Sequence, residues 1–522
     1  MNVTTSLNLS SVLENSAKEY PNKTAIIFGE SRFSFQQINT AANQVANGLV
    51  KNGIGKGDRV ALSCLNLPYF PMIYFGILKT GAVVVPLNVL LKKREIAYAL
   101  KDSDIKAIFS FVGTDTLPMG KEAWEAFKEV DSCTKFWLIM PKLTDSSPID
   151  GAQTIGMLMQ DQSAEFRTVN TTPNDSAVHL YTSGTTGDPK AAELSHNNLY
   201  SNATAVALLF KIEFKDIQLL TLPMFHSFGQ TTQMNAGFLM GNTLVLIAKF
   251  SPDTVLATME KECITVFCGV PTMYWALLHY PKKSDYDLKK IASNLRLGVS
   301  GGSSLPIEVI RGFENEFDIP ILEGYGLSEA SPVVTFSRIH KERKPGSIGT
   351  PIYGVDIMIA NEKGEEVPRG EVGELLVRGP NVMKSYYKRK GETENVFKMG
   401  WLHTGDLAKL DEEGYVYIVD RLKEIILRGG FNVYPREIEE IMLTHPSISL
   451  AAVIGIPNEK YGEEIKAFVV LKEGEKITSE EIIEWTKEQV ASYKYPRIIE
   501  IVEKLPMSAT GKILKKELKK LE

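Results

Sequence analysis

From residue 38 onward the apolar residues switch repeatedly between a helical period and short extended runs. Ile38, Ala41, Ala42, Val45 and Leu49 recur at helical spacing, and Gly53 supplies the stop. Lys56-Gly57-Asp58 then turns the chain into Val60-Ala61-Leu62, which reads as a strand. A helix over 70–79 and a strand over 82–85 repeat the cycle, as do 95–101 and 107–111. Further short strands are predicted at 177–181, 219–222, 244–247, 266–268 and 295–299. Apolar strands separated by helices predict parallel-rich sheets covered on both faces, an α/β fold.

The texture changes twice after that. Beyond about residue 345, strands at 356–360, 373–378 and 415–419 are separated by turns such as Glu362-Lys363-Gly364, which predicts a small antiparallel, barrel-like subdomain. Near Asp420-Arg421-Leu422-Lys423 an α+β unit begins, with helices at 436–443 and 479–490 and strands at 450–456 and 465–471. It ends in a basic amphipathic tail, 511–520, whose lysines read by default as a solvated charged face. A chain of 522 residues has room for one large domain and a smaller one.

Composition excludes more than it assigns. A formal net charge of −5 gives no argument for nucleic acid or an anionic membrane as partner. Cys64, Cys133, Cys263 and Cys268 form no CxxC pair, so zinc is not expected, and Cys263 and Cys268 flank an apolar run as buried, inert thiols. The stretch 67–91 is rich in apolar residues, yet Pro68, Pro71, Lys79, Gly81 and Pro86 interrupt it well short of the ~20 residues a membrane span requires. MNVTTSLNLS has neither the basic start nor the apolar core of a signal peptide. A soluble, cytoplasmic protein is expected.

One segment carries chemistry on its face. YTSGTTGDPKAAELSH, 181–196, follows the strand at 177–181 and concentrates hydroxyls, glycines and one lysine. It fails the GxxxxGK[ST] test, because Pro189 stands five residues after Gly184 and no Gly-Lys-Ser/Thr follows. Its glycines still free successive backbone N–H groups for an anion, and Lys190 adds a charge for phosphate oxygens. The composition leaves the ligand open.

This loop resembles the signature loop of the adenylate-forming superfamily, which includes acyl-CoA synthetases, amino-acid adenylation domains and beetle luciferases. Further blocks follow in that family's order: LPMFH (222–226), ILEGYGLSEAS (321–331), GWLHTGD (400–406), DRLKEIILRGGFNVYPREIE (420–439) and PMSATGKILKKEL (506–518). GPNVMKSYY and GGFNVYPREIEE are most similar to bacterial fatty acyl-CoA ligases. The resemblance implies two steps. A carboxylate and ATP give an acyl-adenylate and pyrophosphate; the coenzyme A thiol then displaces AMP. It also implies an adenylation domain over 1–420, a hinge at 421–423 and a mobile C-terminal domain over 424–522.

Residue roles follow from the same resemblance. Thr182, Ser183, Gly184, Thr185, Thr186, Gly187 and Lys190 would clamp the β- and γ-phosphates of ATP. Gly301, Gly302, Glu323, Gly324, Tyr325, Gly326 and Ser328 would wall the nucleotide, with Tyr325 stacked on adenine. Glu329 would hold Mg²⁺, a hard ion suited to oxygen ligands. Asp406 would accept from the ribose hydroxyls, and Arg421 would add a ribose or phosphate contact. Lys512 would bridge the substrate carboxylate and the α-phosphate, then leave as the small domain turns about Lys423 and presents Gly429-Gly430 to pantetheine. His226 would sit near the reacting carboxylate, before an apolar helix, with Phe225, Phe228, Met234, Phe238 and Leu239 either lining the acyl site or filling core. A histidine where adenylation domains carry an aspartate argues against an amino-acid substrate.

Ala191 stands where the family has glycine, which predicts a loop with fewer backbone options. The expected substrate is a fatty acid, with an aryl or hydroxycinnamate acid, or a carrier-protein thiol as acceptor, as alternatives. A homodimer and peripheral membrane contact are compatible with the same resemblance.

Overall fold

The computed structural model describes residues 5–182, 188–508 and 511–520. Two large sheets form the body. In the first, strands run in the order Ser385–Tyr386, Lys190–Ser195, Ser176–Thr182, Val83–Pro86, Arg59–Ser63, Ile105–Phe111, Lys135–Ile139 and Gln153–Thr154. Its interior is parallel, and the two strands at the Ser385 edge are antiparallel. The second sheet has nine strands and is parallel from Thr24–Phe28 through Thr243–Leu246, Ile217–Leu220, Val266–Gly269 and Leu297–Ser300 to Ile321–Gly326.

The apolar stretch that could have passed for a membrane span is the helix between these sheets. Tyr69–Lys79 buries every residue from Phe70 to Lys79. It packs on Phe35–Lys51, whose start is capped by reciprocal Ser34 and Gln37 bonds. Lys79 is tolerated there because its ammonium meets the Glu14 carboxylate. Among the described residues, no helix is long and apolar enough to cross a membrane.

The antiparallel subdomain is a five-stranded sheet of Asp356–Ala360, Gly373–Arg378, Trp401–Leu410, Phe397–Lys398 and Val416–Arg421. The C-terminal unit is a second five-stranded sheet, built around the long pair Ile448–Asn458 and Gly462–Leu471. Helices Pro435–Met442 and Ser479–Gln489 accompany it, and Ile426, Val433, Ile438, Val453 and Ile482 form its own core. The expected α/β body with an antiparallel subdomain and an α+β C-terminal unit is therefore observed.

Three local expectations need correction. The tail is helical only over Lys515–Leu518, and Lys515 is no solvated lysine: its ammonium lies 2.7 Å from Glu439 and 3.2 Å from Glu424. Cys268 is buried, but Cys263 is partly exposed because it caps a helix in the left-handed conformation, φ 51°. The segment after His226 is no apolar helix. Phe228–Asn235 is a fully buried π-helical turn that carries Gln230, Thr231, Thr232, Gln233 and Asn235 into the interior.

Candidate active site

The predicted nucleotide wall stands at the C-terminal ends of two neighbouring parallel strands, the usual ligand position in such sheets. Gly301 and Gly302 follow Leu297–Ser300, and Glu323 to Gly326 close the adjacent strand, with Ser300 level with Glu323. Gly324 admits no side chain, since a Cβ there would lie 2.0 Å from the Phe336 ring. Gly302 has φ +89°, which an L side chain rarely adopts. Burial pushes the Glu323 carboxyl up to about 7; it accepts the Leu305 N–H at 3.1 Å.

Asp406 and Arg421 face each other across the strands Trp401–Leu410 and Val416–Arg421. Arg421 Nε lies 3.0 Å from Asp406 Oδ1, while the Tyr325 hydroxyl donates to Oδ2. Burial and Asp406 together hold that hydroxyl well above its ordinary pKa, so it remains a donor. Three residues from three separated blocks thus meet at one carboxylate.

Lys512 comes to the same place from the C-terminal unit. Lys512 is exposed to solvent, yet the protein around it desolvates its ammonium. That desolvation, with the Arg421 charge, brings its pKa down to about 8, against the pull of Glu424 and Asp406. The glycine before it is tightly seated: a Cβ on Gly511 would lie 2.8 Å from Thr272 Oγ1 and 3.2 Å from Val270 Cγ2.

His226 also senses Lys512. Burial first, and the Lys512 charge second, lower its pKa to about 4, so the imidazole is neutral at working pH. Nδ1 accepts the Phe228 N–H at 3.2 Å, which leaves the proton on Nε2 as a donor. Phe228 then covers Gly301, whose Cβ position lies 3.1 Å from the ring. Phe238 takes no part here; its ring packs on Phe35 and Phe75 in the core, and Met234 is fully buried.

The phosphate-loop lysine opens a strand, not a helix. Thr182 pairs with Lys190 at the mouth of the hairpin Ser176–Thr182 and Lys190–Ser195. Ser183, Gly184, Thr185, Thr186 and Gly187 lie outside the described residues. Ala191 is correspondingly not a loop residue: it is buried, extended and paired with Tyr181. At Ala191 itself the ladder requires no positive φ, so the backbone freedom of a glycine is not used at this position.

Sequence reasoning missed Tyr386. Its hydroxyl donates to Glu329 Oε1 at 2.8 Å, and the Lys190 ammonium lies 5.4 Å from its ring centroid. The strand Ser385–Tyr386 pairs with Lys190–Ser195, and Asn198 anchors the preceding segment through the carbonyls of Pro380 and Val382. The signal was present in GPNVMKSYY, read only as a likeness. Glu329 offers one carboxylate, and among the described residues no group of three or more His, Cys, Asp or Glu could hold a metal ion. A single carboxylate fits a Mg²⁺ shared with a phosphate chain and does not fit a caged transition metal.

The sequence pattern of the AMP-binding enzyme family matches residues 13–387, and that of the AMP-binding enzyme C-terminal domain matches 437–512. The chain belongs to the AMP-binding enzyme family. It is 38% identical to the long-chain-fatty-acid–CoA ligase of Bacillus subtilis (strain 168), over 98% of this chain and 94% of that one. It is 34% identical to a feruloyl-CoA synthase of an Amycolatopsis species, over 97% of each. The crystal structure of the anthranilate CoA ligase AuaEII with anthranoyl-AMP superposes with a TM-score of 0.91 at 28% identity, covering 100% of this chain and 98% of that one. This AMP-binding enzyme is an acid–thiol ligase of the AMP-forming type.

Not every predicted residue of this AMP-binding enzyme reaches the site. Gly429 and Gly430 form the exposed turn between Ile426–Arg428 and Phe431–Val433, with φ +58° and +85°. Lys423 is exposed just after the strand that ends at Arg421. The arrangement brings Lys512 in and leaves the glycine turn outside.

Proposed function

We propose that this ATP-dependent acid–thiol ligase activates a medium- to long-chain fatty acid as its acyl-adenylate and then forms the coenzyme A thioester. The observation that carries the two-step reading is Lys512, delivered by the C-terminal unit to Asp406, Arg421 and the neutral His226. The long-chain relative, matched over nearly the whole chain, supports the aliphatic substrate. Phe228 beside Gly301 and Val270 beside Gly302 add apolar surface next to the predicted nucleotide wall, which suits an aliphatic chain.

A carboxylate is ionised at pH 7, so the first step requires no base. One carboxylate oxygen attacks the α-phosphorus; the new C–O–P linkage forms as the bond to pyrophosphate breaks. The difficulty is holding two anions together, and positioned cations answer it. Lys512 supplies charge between them, Lys190 meets the departing phosphates, and His226 donates its Nε2–H to the acyl oxygen. Mg²⁺ held by Glu329 would neutralise further phosphate charge. Asp406 orients the ribose, sharing its carboxylate with Arg421 and Tyr325. In the second step the coenzyme A sulfur attacks the acyl carbon and AMP leaves. Lys512 has no role there, and Gly429-Gly430 would face the pantetheine arm.

An aryl acid is the second reading. The Phe228 ring over Gly301 makes a flat-sided wall, and the feruloyl and anthranilate enzymes support it. One assay tests both: ATP, Mg²⁺ and a panel of C4 to C18 fatty acids and hydroxycinnamates, with AMP release followed with and without coenzyme A. Coenzyme A-accelerated release that peaks with a fatty acid is expected. Release that peaks with a hydroxycinnamate overturns the aliphatic reading. Release that coenzyme A does not accelerate overturns the thioester acceptor and points to a carrier-protein thiol.

A further inference from the structure

Lys512 works only if the C-terminal unit is seated so that it faces the nucleotide wall, and one side chain outside the predicted site, Arg436, bridges that unit to the body. Arg436 opens the helix Pro435–Met442, and three groups hold it there. Its backbone N–H bonds to Asp420 Oδ2 at 3.1 Å, on the last strand of the antiparallel subdomain. Its Nε bonds to Glu440 one turn further on, at 2.8 Å, which fixes the direction of the guanidinium. The remaining arm crosses to the body and donates to the Ser304 hydroxyl.

The place where that arm lands is not incidental. Ser304 follows the Gly301-Gly302 wall, and its neighbour Leu305 donates its N–H to Glu323 on the adjacent nucleotide-wall strand. The Arg436 charge favours the ionised form of Glu323, against a burial that pushes this carboxyl up. The second seating point is Gly511 against Val270 and Thr272, the residue immediately before Lys512. A helix start and a glycine, 75 residues apart in sequence, therefore hold the C-terminal unit on the same rim.

We propose that Arg436 is a positioning residue for adenylation: a latch from the hinge-side helix to Ser304 that holds the C-terminal unit where Lys512 can act. The contact rests on the two-step reading above, because it must open before a thiol can be admitted. The latch belongs to one half-reaction only. Its guanidinium is geometrically matched to a fixed hydroxyl and a nearby carboxyl, and a lysine would keep the charge without the fork.

The test measures the half-reactions separately, as acid-dependent pyrophosphate exchange and as coenzyme A consumption of supplied acyl-adenylate. Arg436→Ala should lower exchange about 10- to 100-fold, the range for losing a charge-assisted hydrogen bond. It should leave the rate with supplied acyl-adenylate unchanged or raise it. Arg436→Lys should recover part of the exchange. Ser304→Ala, made on the other side of the contact, should repeat the selective loss at smaller size, which keeps the proposal testable if the arginine variant does not fold. Equal loss of both half-reactions, or loss of neither, in a folded variant overturns the latch while leaving the ligase reading intact. Wild-type enzyme without acid-dependent exchange overturns the ligase reading and the latch with it.

Discussion

The Tyr386 hydroxyl donates to Glu329 Oε1 at 2.8 Å, and its ring faces the Lys190 ammonium at 5.4 Å. One phenol thus touches both the carboxylate proposed for Mg²⁺ and the lysine proposed for phosphate. Burial and Glu329 keep its proton on, so the contact is a permanent donor–acceptor pair. Groups that orient a metal-binding side chain typically carry a 10- to 100-fold effect on metal affinity. Tyr386→Phe should raise the Mg²⁺ concentration for half-maximal pyrophosphate exchange by about 10-fold. Consumption of supplied acyl-adenylate by coenzyme A should stay within about twofold of wild type, a rough bound for a step that uses no metal. An unchanged Mg²⁺ dependence would show that Tyr386 only packs the hairpin.

The Lys512 pKa of about 8 sets an alkaline limit. Its role requires the ammonium, which is present below that value and lost as pH rises through it. The kcat/KM for adenylation reports the free enzyme, so it should fall above pH 8. Bound ATP and carboxylate add negative charge beside the ammonium, raise its pKa and carry the limb of kcat to higher pH. Lys512→Arg should remove the limb, since guanidinium does not titrate there, while lowering the rate through poorer fit. A pH–rate profile for both variants checks this; a limb that survives in the arginine variant would assign it to another group.

The alternation of periods was enough to place the helix Tyr69–Lys79, four strands of each large sheet and the switch to antiparallel texture near residue 345, but not strands such as Thr24–Phe28, Lys135–Ile139 and Ile321–Gly326. Local period is a property of consecutive residues, and these elements bury along consecutive turns or alternate residues. What it cannot carry is pairing between distant segments. Tyr386 reaches Glu329 only because Ser385–Tyr386 joins a strand some two hundred residues earlier. Lys515 looks like its neighbours in a basic run, yet Glu424 and Glu439 converge on it from elsewhere in the unit. The π-helical turn Phe228–Asn235 defeats periodicity outright, because its polar residues face inward all round. That Tyr325, Asp406, Arg421 and Lys512 belong to one place was legible through ordered blocks, not through period.

Neutral His226 should show no titration of its own near pH 6.5, the ordinary histidine range. Its pKa lies near 4, so substitution should change size of rate and not the shape of the profile between pH 6 and 8. His226→Ala should lower kcat/KM for the acid about 10- to 100-fold through loss of one donor to a charged oxygen. His226→Asn, which keeps an N–H, should recover part of it. A new acidic limb in the wild-type profile near 6.5, absent in both variants, would contradict the buried neutral imidazole.

Ala191 provides the sharpest separation of fold from function. It is buried in the ladder opposite Tyr181, and its carbonyl accepts the Tyr387 N–H at 2.8 Å. Ala191→Gly removes one buried methyl, about 0.8 kcal/mol, and adds the backbone entropy of glycine in a strand, about 0.5–1 kcal/mol. A stability loss of about 1–2 kcal/mol is expected on those grounds. The extended backbone needs no left-handed φ, so the KM for ATP and the turnover should stay within about twofold of wild type, since ligand contacts are unaltered. Chemical denaturation and steady-state kinetics on one preparation separate the two. Tighter ATP binding or faster turnover without loss of stability would instead mean that the alanine restrains the phosphate loop, and that the ladder tolerates glycine at no cost.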